Sequence, residues 1–260
     1  MNTAQKNKLE IINNYFDNIY VITLERAVER QEKIKEVLSG LNYSFFYGKD
    51  KNNFLIDDLI QENIYSKKLA KKFHRYNKHM NAGQIGCSWS HKLVYEDIIQ
   101  NNYQRVLILE DDVIPNQEVV INFNEIMNQL PNNWDLIYFD YHKNTEQNIG
   151  TTIKKFIYQI LRLIGNLKWS SKTISNLYAK KYSSNLKTAG YHMYTSAYAV
   201  TLNGAKTLLH YQTPIAHIAD HLLAHVITNE KLLGFITVPK LFFQESQTTN
   251  KLNRISYVEQ

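Results

Sequence analysis

The chain has 260 residues, 44% of them hydrophobic and 21% charged, which suits one α/β domain with a sizeable core and excludes wholesale disorder. Its one cysteine, Cys87, excludes an intrachain disulfide and a Cys-rich zinc site and fits a reducing, cytoplasmic compartment. The net charge of +6 is unevenly placed: from Gln147 to Ala219 there is no acidic residue, while Lys154, Lys155, Arg162, Lys168, Lys172, Lys180, Lys181, Lys187 and Lys206 are all positive. Such a stretch implies an anionic partner, whether lipid headgroup, phosphorylated substrate or nucleic acid. Met1 to Glu10 are polar and carry no apolar signal core, and no apolar run of about 20 residues offers a membrane span.

In chain order, Asn18 to Leu24 reads as a β-rich run and Val28 to Leu38 as a helix, a first β-α unit. Tyr43 to Tyr47 reads as a second strand, Ser66 to His79 as a solvated helix or loop, and Gly83 to Ile99 as a helix with a glycine-containing entry. Arg105 to Leu109 is continuously apolar, as in a strand buried on both faces of a parallel sheet, and Asn116 to Leu130 reads as a helix. Asp135 to Phe139 and Ser196 to Leu202 give further strands, followed by helices Asn203 to Tyr211 and Ile218 to Thr228 and a last strand, Leu232 to Val238, stopped by Pro239. Alternating strands and helices predict one α/β domain over residues 1–260 with a largely parallel central sheet flanked by helices. A basic helical insertion at about 151–187 interrupts the alternation. No repeat or linker marks a domain boundary.

In open α/β sheets ligands gather beyond the carboxyl ends of the strands, and Glu110-Asp111-Asp112 follows such an end. Three adjacent carboxylates repel one another, and a hard cation such as Mg2+ or Mn2+ relieves the repulsion. In an extended segment Glu110 and Asp112 project to one side and Asp111 to the other, so one side can take a metal and the other a sugar hydroxyl. The alternative is that the acids merely end a strand and begin a solvated loop.

Several segments, in order, resemble glycosyltransferase family 25. Ile19-Tyr20-Val21-Ile22-Thr23-Leu24-Glu25-Arg26, with Arg30 beyond, is similar to the family's first strand and Asn-Leu-acid-Arg loop, with Thr23 in place of Asn. Gly83-Gln84-Ile85-Gly86-Cys87-Ser88-Trp89-Ser90-His91 resembles its Gly-Glu-Ile-Gly-Cys stretch ending in Ser-His, and Leu109-Glu110-Asp111-Asp112 its metal motif. Trp134 to Tyr138, Thr195 to Val200, Asn203-Gly204-Ala205-Lys206, Asp220 and Gln244 resemble later segments. The likeness runs from about residue 18 to 246 and leaves out Thr151 to Lys187.

The resemblance implies a GT-A type nucleotide-sugar-binding fold and an inverting, metal-dependent transfer of a hexose, galactose before glucose, from a UDP-sugar to a glycan of lipopolysaccharide or lipooligosaccharide type. It implies Glu110, Asp111 and Asp112 as metal residues. Thr23, Leu24, Arg26, Arg30, Ser90, His91, Glu110, Asp111, Ala197 and Tyr198 would be the donor contacts, and Asp220 the general base. Each has a plainer alternative: a helix N-cap for Asp220, a hydrogen-bonded structural residue for His91, solvated charges for Arg26 and Arg30, core for Tyr198. His217 and His221 are weaker candidates for the base, and Cys87 reads as a buried small hydrophobe.

Two other classes fit less well. A nucleotidyltransferase shares a strand-end acidic site but also needs a Gly-rich phosphate loop, which does not follow the first strand. A binding protein without catalysis would use the basic stretch alone, and no nucleic-acid motif is visible. In Ile153 to Tyr182, Phe156, Ile157, Ile160, Leu161, Leu163, Ile164 and Leu167 form an apolar face amid basic residues, with Trp169 placed for an interface. That pattern suits a helix lying in an anionic membrane surface, at the inner leaflet for a lipid-linked acceptor. The alternatives are a cover over the active site and a dimer contact.

Overall fold

The structure is a computed structural model and describes residues 3–247; the two ends of the expected 1–260 domain lie outside it. In chain order its elements are α1 (Thr3–Asn13), β1 (Asn18–Thr23), α2 (Val28–Val37), β2 (Ser44–Tyr47), α3 (Ile56–Gln61), α4 (Lys67–Phe73), α5 (Ala82–Gln100), β3 (Arg105–Glu110), β4 (Val113–Pro115) and α6 (Phe123–Met127). There follow β5 (Leu136–Tyr138), α7 (Ile149–Leu163), α8 (Ser171–Ser175), β6 (Lys180–Lys181), β7 (Leu186–Thr188), β8 (Ala197–Thr201), α9 (Leu202–Tyr211), α10 (Ala219–Thr228), β9 (Gly234–Thr237) and β10 (Phe242–Gln244).

Eight strands form one sheet in the order β2-β1-β3-β8-β5-β9-β7-β6, and β4 pairs with β10 in a separate ribbon. β1, β2 and β3 run parallel, as do β5 and β9. β8 runs antiparallel between β3 and β5, and β7 antiparallel to β9. The sheet is therefore mixed, with most strands pointing one way. The continuous apolarity of β3 follows from its cover on both faces. Leu107 and Leu109 pack with Ile12, Ile34 and Phe123 under α1, α2 and α6, while Val106 and Ile108 pack with Val94, Leu208 and Leu223 under α5, α9 and α10.

Local chemistry sets the helix that carries most of the motif residues. Asn81 Oδ1 accepts from Gln84 N (2.8 Å) and Gln84 Oε1 from Asn81 N (3.1 Å), a reciprocal cap that starts α5. Glutamine serves that cap as glutamate would. Gly86 must lack a side chain, since a Cβ there would stand 2.6 Å from the Lys49 carbonyl. The same holds for Gly204 at the start of α9, 2.5 Å from the Asp135 carbonyl.

Three sequence expectations change. α1 is an additional helix whose Leu9 and Ile12 enter the core. The helix expected over Asn116 to Leu130 shrinks to a 3-10 turn at Val120–Asn122 and the short α6. The chain before it is drawn into the β4-β10 ribbon, and Asn116 is tied by its N–H to the Leu241 carbonyl and by Nδ2 to the Lys240 carbonyl. Within 151–187 only the first part stands apart as helices, because β7 adds to the sheet against β9. On α7, Ile149, Phe156, Leu163 and Ile164 are exposed, at 82%, 67%, 76% and 63%. Leu167 is buried, and Trp169 is packed between Tyr158 and Tyr191 rather than facing outward.

Candidate functional site

The acidic run stands where β3 ends. The Glu110 N–H donates to the Ser196 carbonyl (2.9 Å), and the chain turns at Asp111-Asp112 before β4. The three carboxylates fan out from that turn. Glu110 Oε1 accepts from Thr195 Oγ1 (2.6 Å) and lies 3.4 Å from His91 Nε2. Asp111 takes Thr23 Oγ1 on Oδ2 and Arg30 Nη1 on Oδ1, both at 2.7 Å. Asp112 accepts from Gln244 Nε2 on Oδ2 (3.0 Å), while its Oδ1 is buried with no hydrogen-bond partner among the described residues.

Burial drives all three toward the neutral form, and what opposes it differs. At Glu110 burial is overcome by His91, Thr195 and Arg30, which together hold the group below its ordinary value. At Asp111 burial outweighs Arg30 and Thr23 and leaves the group raised. Asp112 is pushed up to about 7, by burial and then by the charge of Glu110. The Cys87 thiol is pushed well up by burial and by the charges of Glu110, Asp220 and Asp112.

Thr23, Leu24, Arg30, Ser90, His91, Glu110 and Asp111 line one cleft of about 600 Å3, together with Lys49, Lys51 and Cys87. Lys51 Nζ is buried there without a hydrogen-bond partner among the described residues. Ser90 is committed to the scaffold: its Oγ donates to the Gly86 carbonyl (2.7 Å) and accepts from Lys49 N (2.8 Å). Arg26 is outside the lining, paired with Asp50. Ala197 and Tyr198 are fully buried in β8. The Tyr198 hydroxyl lies 2.9 Å from His91 Nδ1 and from the Tyr95 hydroxyl, so it orients the imidazole that faces Glu110.

Asp220 is not a helix cap. The N-cap of α10 is Ile218, which makes no side-chain cap bond, and Asp220 lies one residue inside the helix. Its Oδ2 accepts from Tyr194 N (3.4 Å), and its Oδ1 is buried without a hydrogen-bond partner among the described residues, with His221 Nε2 3.9 Å away. His217 is a poor base: it is stacked on Phe73 at 4.4 Å, and burial, then His225 and His221, lower it to about 3.

Residues not singled out from the sequence bind the site together. Tyr194 holds φ of 81°, in the left-handed region where a bulky side chain is strained. Tyr194 N reaches Asp220, and the next residue's hydroxyl, Thr195 Oγ1, reaches Glu110. One strained turn thus links the two acidic groups. Asp140, fully buried, accepts from Ser196 Oγ (2.6 Å), Lys240 Nζ (2.9 Å) and Gln244 N (3.0 Å), and so fixes the segments that hold Glu110 and Asp112. Its signal in the sequence was an acid just past the end of an apolar strand.

For a hard cation the residues fit: Asp112 has an unused buried oxygen, and Glu110 and Asp112 repel each other. Magnesium-type ions need only one or two protein carboxylates when a phosphate supplies the rest. Cys87, His91 and Glu110 also bring ligand atoms within 4.8 Å of one another. That trio suits a softer ion, and the raised thiol works against it.

Acids gathered beyond the strand ends of a mixed α/β sheet, with Arg30, Lys49 and Lys51 lining the same cleft, mark the place where ligands of open α/β sheets collect. The chain belongs to glycosyltransferase family 25: the family model described as "Glycosyltransferase family 25 (LPS biosynthesis protein)" matches residues 16–223. A glycosyltransferase 25 family member of Aedes aegypti is 30% identical over 74% of this chain and 28% of its own. A Drosophila melanogaster member is 27% identical over 79% of this chain and 29% of its own. The human "Inactive glycosyltransferase 25 family member 3" is 24% identical over 75% and 29%. The chain thus spans under a third of the length of these relatives. Mouse xyloside xylosyltransferase 1 superposes over 90% of this chain and 72% of its own at TM-score 0.34 and 11% identity, too loosely to carry an argument.

Proposed function

We propose that the protein is an inverting, metal-dependent glycosyltransferase of GT-A type that moves a hexose, galactose before glucose, from a UDP-sugar to a glycan acceptor. The observation that carries this reading is a pair of buried polar atoms without hydrogen-bond partners among the described residues: Lys51 Nζ in the cleft, and Oδ1 of Asp112, the residue after the cleft-lining Glu110 and Asp111. A metal-bound diphosphate supplies each with the partner it lacks. Arg30 and Lys49 add positive charge on the same cleft wall.

In the reaction the acceptor hydroxyl oxygen attacks the anomeric carbon, the bond from that carbon to the phosphate oxygen breaks, and UDP leaves with the electron pair. Asp220 Oδ1 takes the hydroxyl proton. Glu110 and Asp112 would hold the metal, which neutralises charge on the leaving diphosphate. Asp111, held by Thr23 and Arg30, fixes the first loop over the donor, and His91 orients Glu110.

The inactive human relative favours a second reading, a donor-binding protein without turnover. Hydrolysis of UDP-galactose and UDP-glucose separates the two. The enzyme is expected to release UDP slowly with Mn2+ present and to stop on chelation; donor binding without any release in either condition leaves only the second reading.

The glycan is proposed to be lipid-linked and met at the cytoplasmic face of a membrane. No helix among the described residues is long and apolar enough to cross a bilayer. α7 instead leaves an apolar stripe exposed, with Lys154, Lys155, Arg162 and Lys168 on and beside the helix and no acid. Each basic residue near an anionic surface adds about 1 kcal/mol. The chain is expected to float with vesicles containing phosphatidylglycerol and not with pure phosphatidylcholine. The double variant Phe156→Asp, Ile160→Asp should stay behind; equal flotation of that variant excludes α7 as the contact.

A further inference from the structure

A second basin is lined among others by Arg75, Lys143, Lys154, Trp169, Tyr191 and His221, none of which lines the cleft that holds Glu110 and Asp111. It reaches the base through His221, which lines it and whose Nε2 lies 3.9 Å from Asp220 Oδ1. His221 follows Asp220 in α10, and the Tyr191 ring stands 5.9 Å from the His221 ring. The turn at Tyr194 and Thr195 ties Asp220 to the metal carboxylates, Tyr194 N donating to Asp220 and Thr195 Oγ1 to Glu110.

The chemistry of the walls is specific. No acid is among the lining residues, and three of them are permanent cations. The Arg75 guanidinium carbon lies 5.1 Å from the Trp169 centroid and 4.2 Å from that of Tyr76; its Nη2 donates to the Tyr76 hydroxyl, and its Nε is buried without a hydrogen-bond partner among the described residues. A planar guanidinium fixed in this way is built for a carboxylate or phosphate rather than for a neutral hydroxyl. Trp169 stands between Tyr158 (5.8 Å, 74°) and Tyr191 (4.9 Å, 40°), an amphipathic surface of the sort on which sugar rings pack.

The third wall is strained. Lys143 and Asn144 hold φ of 64° and 56°, two consecutive non-glycine residues in the left-handed region. Their conformation is fixed from both sides: the Asn144 carbonyl accepts from Ala179 N (2.9 Å), and the Lys143 carbonyl lies 2.9 Å from His192 Nδ1. Strain of about 1–3 kcal/mol per residue persists where the surroundings impose it, and it marks ligand-binding loops more than connectors. Lys143 from this loop and Lys154 from α7 both line the basin.

We propose that this basin is the acceptor subsite and that it takes a saccharide bearing a carboxylate or a phosphate, the anion on Arg75 between Lys143 and Lys154 and the sugar ring on Trp169. The assignment rests on the glycosyltransferase reading, which supplies Asp220 as the base. It also gives α7 two roles on two faces: Lys154 and Tyr158 toward the acceptor, the apolar stripe away from it.

The test measures binding apart from turnover. Saturation-transfer NMR on the full chain compares methyl β-glucuronide, glucose 6-phosphate and methyl β-glucoside. At least one anionic probe is expected to bind about tenfold or more tightly than the neutral one, and which of the two does so assigns carboxylate or phosphate. Arg75→Gln should remove that preference and leave binding of the neutral glucoside unchanged; Lys143→Gln, an exposed position, should weaken it and serves if Arg75→Gln does not fold. Equal binding of all three probes, or a preference that survives both substitutions, overturns the inference. A wild-type chain that selects the anionic probes but never releases UDP overturns the enzymatic reading instead and leaves the basin's ligand class standing.

Discussion

Asp220→Asn is expected to bind UDP-sugar and metal as the parent does and to transfer about 10²- to 10⁴-fold more slowly, the usual contribution of a positioned general base. The structure gives this substitution its meaning. Asparagine is nearly isosteric, can still accept from Tyr194 N through its carbonyl oxygen, and loses only the capacity to take a proton. Because Asp220 does not cap α10, the change removes no cap bond, and loss of its charge from the first turn costs the helix only about 0.3–1 kcal/mol. Rates fall through kcat, and the slow donor hydrolysis by water falls with them if the same base activates water. Near-normal transfer by this variant moves the base elsewhere. His221 would be next, since its Nε2 lies 3.9 Å from Asp220 Oδ1 and it opens on the same basin.

Asp112→Asn should produce a second large loss, on the order of 10³-fold in transfer, because metal stabilisation of a leaving diphosphate is worth several kcal/mol. It should also make the metal-free protein more stable. A carboxyl whose folded value is about 7 instead of the ordinary 3.8 holds its proton more tightly folded than unfolded. Below about pH 4 both states are protonated and nothing is lost. As pH rises from about 4 to 7 the unfolded chain ionises first, so the folded state loses stability, and above 7 the loss is complete at no more than about 4 kcal/mol. The amide removes that loss. Melting without metal should therefore coincide for the two proteins near pH 4 and separate by several degrees, variant higher, at pH 8. Added Mn2+ should raise the melting temperature of the parent and not of the variant. A variant that melts lower at pH 8 shows that Asp112 is a structural acceptor for Gln244 and not a metal residue.

Much of the strand and helix framework, and the family, were legible in the residues alone. The apolar run Arg105 to Leu109 reads as a strand covered on both faces, and it is packed between two clusters. Apolar periodicity placed α2, α5, α9 and α10 within a residue or two. Seven of the residues marked from the sequence line one cleft: Thr23, Leu24, Arg30, Glu110 and Asp111 stand at or past the ends of β1 and β3, which their parallel pairing brings together, while Ser90 and His91 come from the middle of α5.

Tertiary structure decided what local sequence does not encode. Whether Asp220 capped a helix or stood free depended on where α10 begins, and that start is set by packing of Ile218 rather than by a side-chain cap. Asp111, Glu110 and Asp112 are indistinguishable as letters, yet Arg30 and Thr23 claim the first, His91 and Thr195 the second, and Gln244 only half of the third. Asp140, Tyr194 and Thr195 gained their roles from contacts far along the chain. Trp169 moved from an expected outer face to the wall of a basin, because α8 and the β6-β7 hairpin fold that segment back toward the sheet. Sequence sets periodicity, caps and charge, which are properties of neighbours along the chain; the partner of a buried charge is a property of neighbours in space, and it is fixed only when the strands have taken their order.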